Sequence, residues 1–113
     1  MNILGLGVDI ESCGRFKDRD EFFINRLFTK KEIEYCKSFK NSAEHFAGRF
    51  CAKEACIKAL NDTSIPFRKM EILNSDDGMP NLVVDEEKYQ KYKFLVSISH
   101  TNDYATATVI VTI

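Results

Sequence analysis

The chain has no long apolar run, no CxxC pair, no strong net charge and no low-complexity tract, and each absence excludes something. No stretch approaches the roughly 20 apolar residues that a membrane-spanning helix needs. With 16 Lys+Arg against 17 Asp+Glu the net charge is −1, so there is no general polycation for nucleic acid. Charge-based recognition has to come from local clustering. Cys13, Cys36, Cys51 and Cys56 lack metal-knuckle spacing, and Cys51 and Cys56 fall well apart around a helix. Free buried thiols are expected. The opening MNILGLGVDIES has neither the basic start nor the long apolar core of a signal peptide, so a reduced, cytoplasmic protein is expected.

What is present suits one folded domain over residues 1–113. Hydrophobic residues make up 44% and charged residues 29%, enough apolar material for a core and too much for disorder. Residues 3–10 alternate as a strand, with Leu4, Leu6, Val8 and Ile10 on one face and Ile3, Gly5, Gly7 and Asp9 on the other. A helix is expected over Asp18–Leu27. A second begins at the Thr29/Glu32 capping box and reaches about Phe39, and a third runs from Ser42 to about Leu60. Then come a hairpin (Phe67–Leu73, a turn at 74–78, Asn81–Val84), a short polar helix near 85–92, and strands Phe94–Ser99 and Tyr104–Ile113. One strand, a helical block and then hairpins predict an α+β fold, a largely antiparallel sheet packed on one long buried helix.

That helix carries the anomaly. In FAGRFCAKEACIKAL, Phe46, Phe50, Ile57 and Leu60 form an apolar stripe with Lys53 in its middle. Ala43, Ala47, Gly48, Cys51, Ala52, Ala55 and Ala59 make a small-residue face, and Glu54 and Lys58 sit four apart at the border. Almost no ordinary solvent face is left. One reading has Arg49 and Lys53 snorkelling to water and Glu54–Lys58 as a routine intrahelical pair. The other points the charges into a polar site, because buried Lys and Glu are rare unless paired or bound. Three cations and one carboxylate suit a polyanionic ligand with a metal ion.

Asp9 supplies a second carboxylate. It shares its strand face with Gly5 and Gly7, which permit a close approach by another segment or a ligand. Across a strand–helix contact, Asp9 and Glu54 would be a minimal protein contribution to a Mg²⁺ site completed by substrate phosphates. In VSISHTNDYA, His100 ends a strand, where it is either structural or a donor to phosphate. There is no P-loop, GxSxG or HExxH, and the lone GLG at 5–7 is too weak to define a dinucleotide site.

Taken together, GLGVDI with Arg15-Phe16, FAGRFCAKEACIKAL and VSISHTNDYATATVIV resemble the signature blocks of the holo-[acyl carrier protein] synthases, the short bacterial 4′-phosphopantetheinyl transferases. FINRLFTKKEIEYC and GMPNL between them also look like family segments, so the resemblance spans essentially the whole chain. It implies the 4′-phosphopantetheinyl transferase fold and a homotrimer with active sites at subunit interfaces. The implied reaction moves 4′-phosphopantetheine from coenzyme A to a serine of apo acyl carrier protein and releases adenosine 3′,5′-bisphosphate, in the service of fatty acid biosynthesis. By position, Asp9 and Glu54 look like the Mg²⁺ ligands, and Asp9, Glu54 and Lys58 like the catalytic set.

Arg49 and Lys58, with Lys53 from the same motif, look like coenzyme contacts, and Ser99, His100 and Thr101 like neighbours of the nucleotide. Arg15, Phe23 and Arg26 resemble a docking surface for the acidic carrier. Either Glu54 or a metal-bound water takes the serine proton in this reading. The chain departs from the family in the glycine-free Asn61–Pro66 turn, and in having Lys40 and then Glu44-His45 where basic residues are usual. A metal-dependent phosphoesterase acting on coenzyme A and a non-catalytic coenzyme A or carrier-binding module are the alternatives.

Overall fold

The computed structural model describes residues 2–113. Strand β1 (Ile3–Ser12) leads into helices α1 (Glu21–Leu27), α2 (Lys30–Lys37) and α3 (Ser42–Leu60). The hairpin β2 (Met70–Asn74) and β3 (Pro80–Val84) follows, and β4 (Lys93–His100) and β5 (Tyr104–Thr112) close the chain. The α+β architecture is the expected one. The expected single sheet is instead two: a three-stranded antiparallel sheet ordered β1-β5-β4, and the separate β2-β3 hairpin. In the larger sheet Asp9 pairs with Ala107, and His100 with Ala105.

Element ends follow local chemistry. Asp20 caps α1 by accepting from the Phe23 N–H at 2.9 Å, so this helix starts three residues later than Asp18, whose φ of 53° is left-handed. The Thr29/Glu32 capping box forms as expected. Residues 67–69 and 87–89 are single 3₁₀ turns, where a strand start and a short helix were expected. These windows are too short for periodicity to separate a turn from a regular element. After α3, Asn61 takes the left-handed position (φ 51°), the place a glycine commonly fills at a helix end.

The sheet lies against α3 through the glycine side of β1. A Cβ on Gly7 would come within 1.9 Å of the Ala55 carbonyl oxygen, and one on Gly5 within 1.9 Å of that of Ala59. The strand backbone thus touches the helix backbone, and the small-residue face of α3 is what admits it. Ala105, Ala107, Val109 and Val111 on β5 complete this layer. On its other side α3 buries Phe46 and Phe50 against Phe28 and Phe16, with ring centroids 4.9 and 5.3 Å apart. The row Leu4, Leu6, Val8 and Ile10 consequently faces outward, with Leu6 65% and Ile10 68% exposed.

Candidate functional site

Three polar clusters border α3. The first surrounds Lys53, which is fully buried rather than snorkelling. Its ammonium donates to Glu32 Oε1 at 2.6 Å, to the Leu27 carbonyl at 2.8 Å and to the Phe67 carbonyl at 3.1 Å. Those three bonds use all three ammonium protons. Glu32 is equally buried and accepts from the Thr29 and Ile72 N–H groups, each at 2.9 Å. Burial pulls the Lys53 pKa below its ordinary value, against the opposing pull of Glu32. The expectation that Lys53 contacts a coenzyme is therefore corrected: its valence is spent on joining α1, α2, β2 and the turn before it.

The second cluster is open. Close packing at Gly7 sets Asp9 beside the last turns of α3, where Lys58 Nζ donates to Asp9 Oδ1 at 3.1 Å and to the Val8 carbonyl at 3.0 Å. The Thr106 hydroxyl donates to the Asp9 carbonyl at 2.8 Å and fixes the strand there. Among the described residues, Asp9 Oδ2 is buried and has no hydrogen-bond partner. Glu54 is half-buried, and its carboxyl is held above the usual range by burial first and by the Asp9 charge second. An orphaned carboxylate oxygen beside a second desolvated carboxylate is a hard-oxygen donor set short of a positive charge, which fits Mg²⁺.

The third cluster lines a cleft of about 210 Å³ between α3, β4 and the β2-β3 hairpin. Arg49 is 4% exposed and stacks on Tyr35 at 4.0 Å while donating to Asn74 Oδ1; its Nε has no partner among the described residues. His100 meets Glu44 at 3.2 Å, and its ring lies 5.1 Å from that of His45, which stacks on Phe39. Burial, then the neighbouring His100 and Arg49, holds His45 below the usual imidazole range. Gly78 and Pro80 form the opposite wall. Arg49 borders this open cleft, and a guanidinium in that position is chemically suited to an anion.

The structure sets Asp9, Glu54 and Lys58 side by side, and sets Arg49 and His100 on one cleft. The sequence did not single out His45, Asn74 and Pro80 as cleft residues, although GMPNL carried a signal for the last. Ser99 and Thr101 do not line that cleft within the chain. Ser99 is exposed on β4 next to the inward His100, and the Thr101 hydroxyl accepts from the Asp103 and Tyr104 N–H groups in the β4-β5 turn. At the start of the chain Arg15 pairs with Glu11 through two bonds of 2.9 and 3.0 Å and lies 4.9 Å from the Phe50 ring centroid. Arg19 covers the half-buried Phe23 at 4.3 Å, and Arg26 lies 5.7 Å from the centre of the exposed Phe22 ring. Arg19 and Phe22 extend this surface beyond the residues expected from sequence.

An α+β layer with two carboxylates and a cationic cleft flanking one small-residue helix has known relatives. Residues 5–109 match the model of the 4′-phosphopantetheinyl transferase superfamily, and the chain belongs to that family. Among named relatives, the holo-[acyl-carrier-protein] synthase of Clostridium acetobutylicum is 39% identical over 93% of this chain and 94% of its own. That of Protochlamydia amoebophila is 41% identical, covering 92% and 93%. The crystal structure of the Bacillus anthracis synthase in complex with CoA (3′,5′-ADP) superposes with a TM-score of 0.84 at 33% identity, covering 96% of both chains. The Helicobacter pylori synthase in complex with coenzyme A gives 0.84 at 31%, covering 95% and 99%.

Proposed function

We propose that the chain transfers 4′-phosphopantetheine from coenzyme A to a serine hydroxyl of apo acyl carrier protein, releasing adenosine 3′,5′-bisphosphate. The observation that carries this reading is the partnerless Asp9 Oδ2 beside Glu54. Asp9 and Glu54 would hold Mg²⁺, which when bound neutralises the pyrophosphate and the leaving phosphate. Lys58, already 3.1 Å from Asp9 and half exposed, turns to a phosphate oxygen once the carboxylate is engaged. The raised Glu54 carboxyl is better matched than an ordinary glutamate to receive the serine proton at its Oε atoms. Arg49 and His100 take the nucleotide phosphates in the cleft, and Pro80 and Gly78 bound the base.

The carrier protein docks on Arg15, Phe23 and Arg26, where Arg19 covers the half-buried Phe23 and Arg26 stands beside the exposed Phe22. The chain works as a homotrimer. Leu4, Leu6, Val8, Ile10 and Leu95 present an apolar sheet face too continuous for a lone subunit, and Ser99 lies on it. Ser99 and Thr101 then contact the nucleotide held by a neighbouring copy. No helix among the described residues is long and apolar enough to cross a membrane. Four buried, unpaired thiols fit a cytoplasmic setting.

The test is incubation with coenzyme A, Mg²⁺ and apo carrier protein from the same cell, read by mass spectrometry. A gain of one phosphopantetheine is expected, and no gain would sink the proposal. Release of the bisphosphate without carrier would instead make the chain a phosphoesterase.

A further inference from the structure

The chain has two histidines, 55 positions apart in sequence, and the fold brings both to one carboxylate. Glu44 and His45 stand in the first turn of α3, and His100 ends β4 opposite them. We propose that Glu44, His45 and His100 form a second metal site, distinct from the Asp9/Glu54 pair, which takes a borderline transition-metal ion of the Zn²⁺ class when no nucleotide phosphate occupies His100.

The donor set decides the class of ion. Two imidazoles and one carboxylate suit Zn²⁺, Cu²⁺ or Ni²⁺, whereas Mg²⁺ prefers oxygens throughout. One ligand atom from each residue lies within 4.8 Å of the other two. Ligands on a tetrahedral zinc stand about 3.3 Å apart, given Zn–N and Zn–O bonds of roughly 2.0–2.2 Å. The Glu44–His100 pair already stands at 3.2 Å, and His45 has at most about 1.5 Å to travel.

Surrounding groups orient the ligands as metal sites require. Asn41 donates to Glu44 Oε1 at 2.9 Å, which leaves Oε2 turned toward His100. Phe39 stacks on the His45 ring with centroids 3.7 Å apart and restricts its rotation. The nearby Arg49 charge opposes a cation, but its guanidinium is directed to Asn74 and Tyr35, and the Glu44 charge offsets it. The three residues line the mouth of the cleft, so a fourth position is open to water or another small ligand.

The site is testable without substrate, so its failure is separable from failure of the transferase reading. Calorimetric titration of the metal-free chain with Zn²⁺ should show one ion per chain. His45→Phe and His100→Gln should each weaken it at least tenfold, while Asp9→Asn leaves it unchanged. Thermal unfolding by circular dichroism confirms that each variant is folded. On the unaltered chain, Cu²⁺ electron paramagnetic resonance should resolve two imidazole nitrogens, which can only be His45 and His100. Absence of saturable binding, binding that survives both histidine changes, loss of binding in Asp9→Asn, or fewer than two nitrogens would each overturn the proposal.

Discussion

Lys53 and Glu54 are neighbours on one helix, yet they belong to opposite kinds of polar site. Lys53 is the more deeply buried, and every proton it carries has an acceptor. The Glu54 cluster is shallower but incomplete, since Asp9 Oδ2 has no donor among the described residues and Glu54 itself is pushed toward the protonated form. Burial of charge is thus a poor sign of function. Unspent hydrogen-bonding valence is the better one, because a satisfied network gains nothing from a ligand.

The sharpest way to break that contrast is Lys53→Met. It leaves Glu32 buried and unpaired, which costs about 3–5 kcal/mol, and adding Glu32→Gln should recover much of the loss. Urea unfolding of the single and double variants measures both. A Lys53→Met chain of normal stability that had lost only turnover would put Lys53 back in the site. Next in size is Glu54→Gln, expected to lower turnover roughly 10²–10³-fold, the cost of removing one electrostatic stabiliser. The chain should stay folded, as read by circular dichroism alongside carrier mass gain.

Gly7→Ala probes what holds the two halves of the open cluster together. Its Cβ meets helix backbone rather than a flexible side chain, so a loss of about 1–3 kcal/mol or more is expected in thermal unfolding. Weaker Mg²⁺ binding should follow from the displaced α3. The smallest effect is a pH slope. Because the Glu54 carboxyl is raised in the folded, metal-free chain, folding takes up a proton there, and stability falls as pH rises through that value. Glu54→Gln should flatten this slope in metal-free melts as pH rises above the ordinary glutamate range. Mg²⁺ binding has the opposite sign and weakens as pH falls through the same range. An unchanged stability slope in Glu54→Gln would show that Glu54 is not the group responsible.

Much of the fold was legible because its signals are local. The Thr29/Glu32 box, the alternation of β5 and the long α3 pattern each depend on residues within a few positions of one another. The single-turn segments at 67–69 and 87–89 were misread because three residues carry no period. The separation of β2-β3 from the main sheet was invisible for another reason: strand pairing is decided between segments far apart in sequence. Within the candidate site, Asp9, Glu54 and Lys58 were legible from residue type and spacing. Lys53 was not, because its partner Glu32 lies 21 residues away on another helix.

By itself, then, the sequence determined the elements, the small-residue helix that a glycine strand can touch, and the residue types gathered around it. Tertiary structure alone decided which of those charges were already spent. Composition places a lysine, a glutamate and an aspartate on neighbouring elements. Only packing shows that Lys53 meets three acceptors while Asp9 Oδ2 meets none, since a hydrogen bond is a matter of a few tenths of an ångström between groups far apart along the chain.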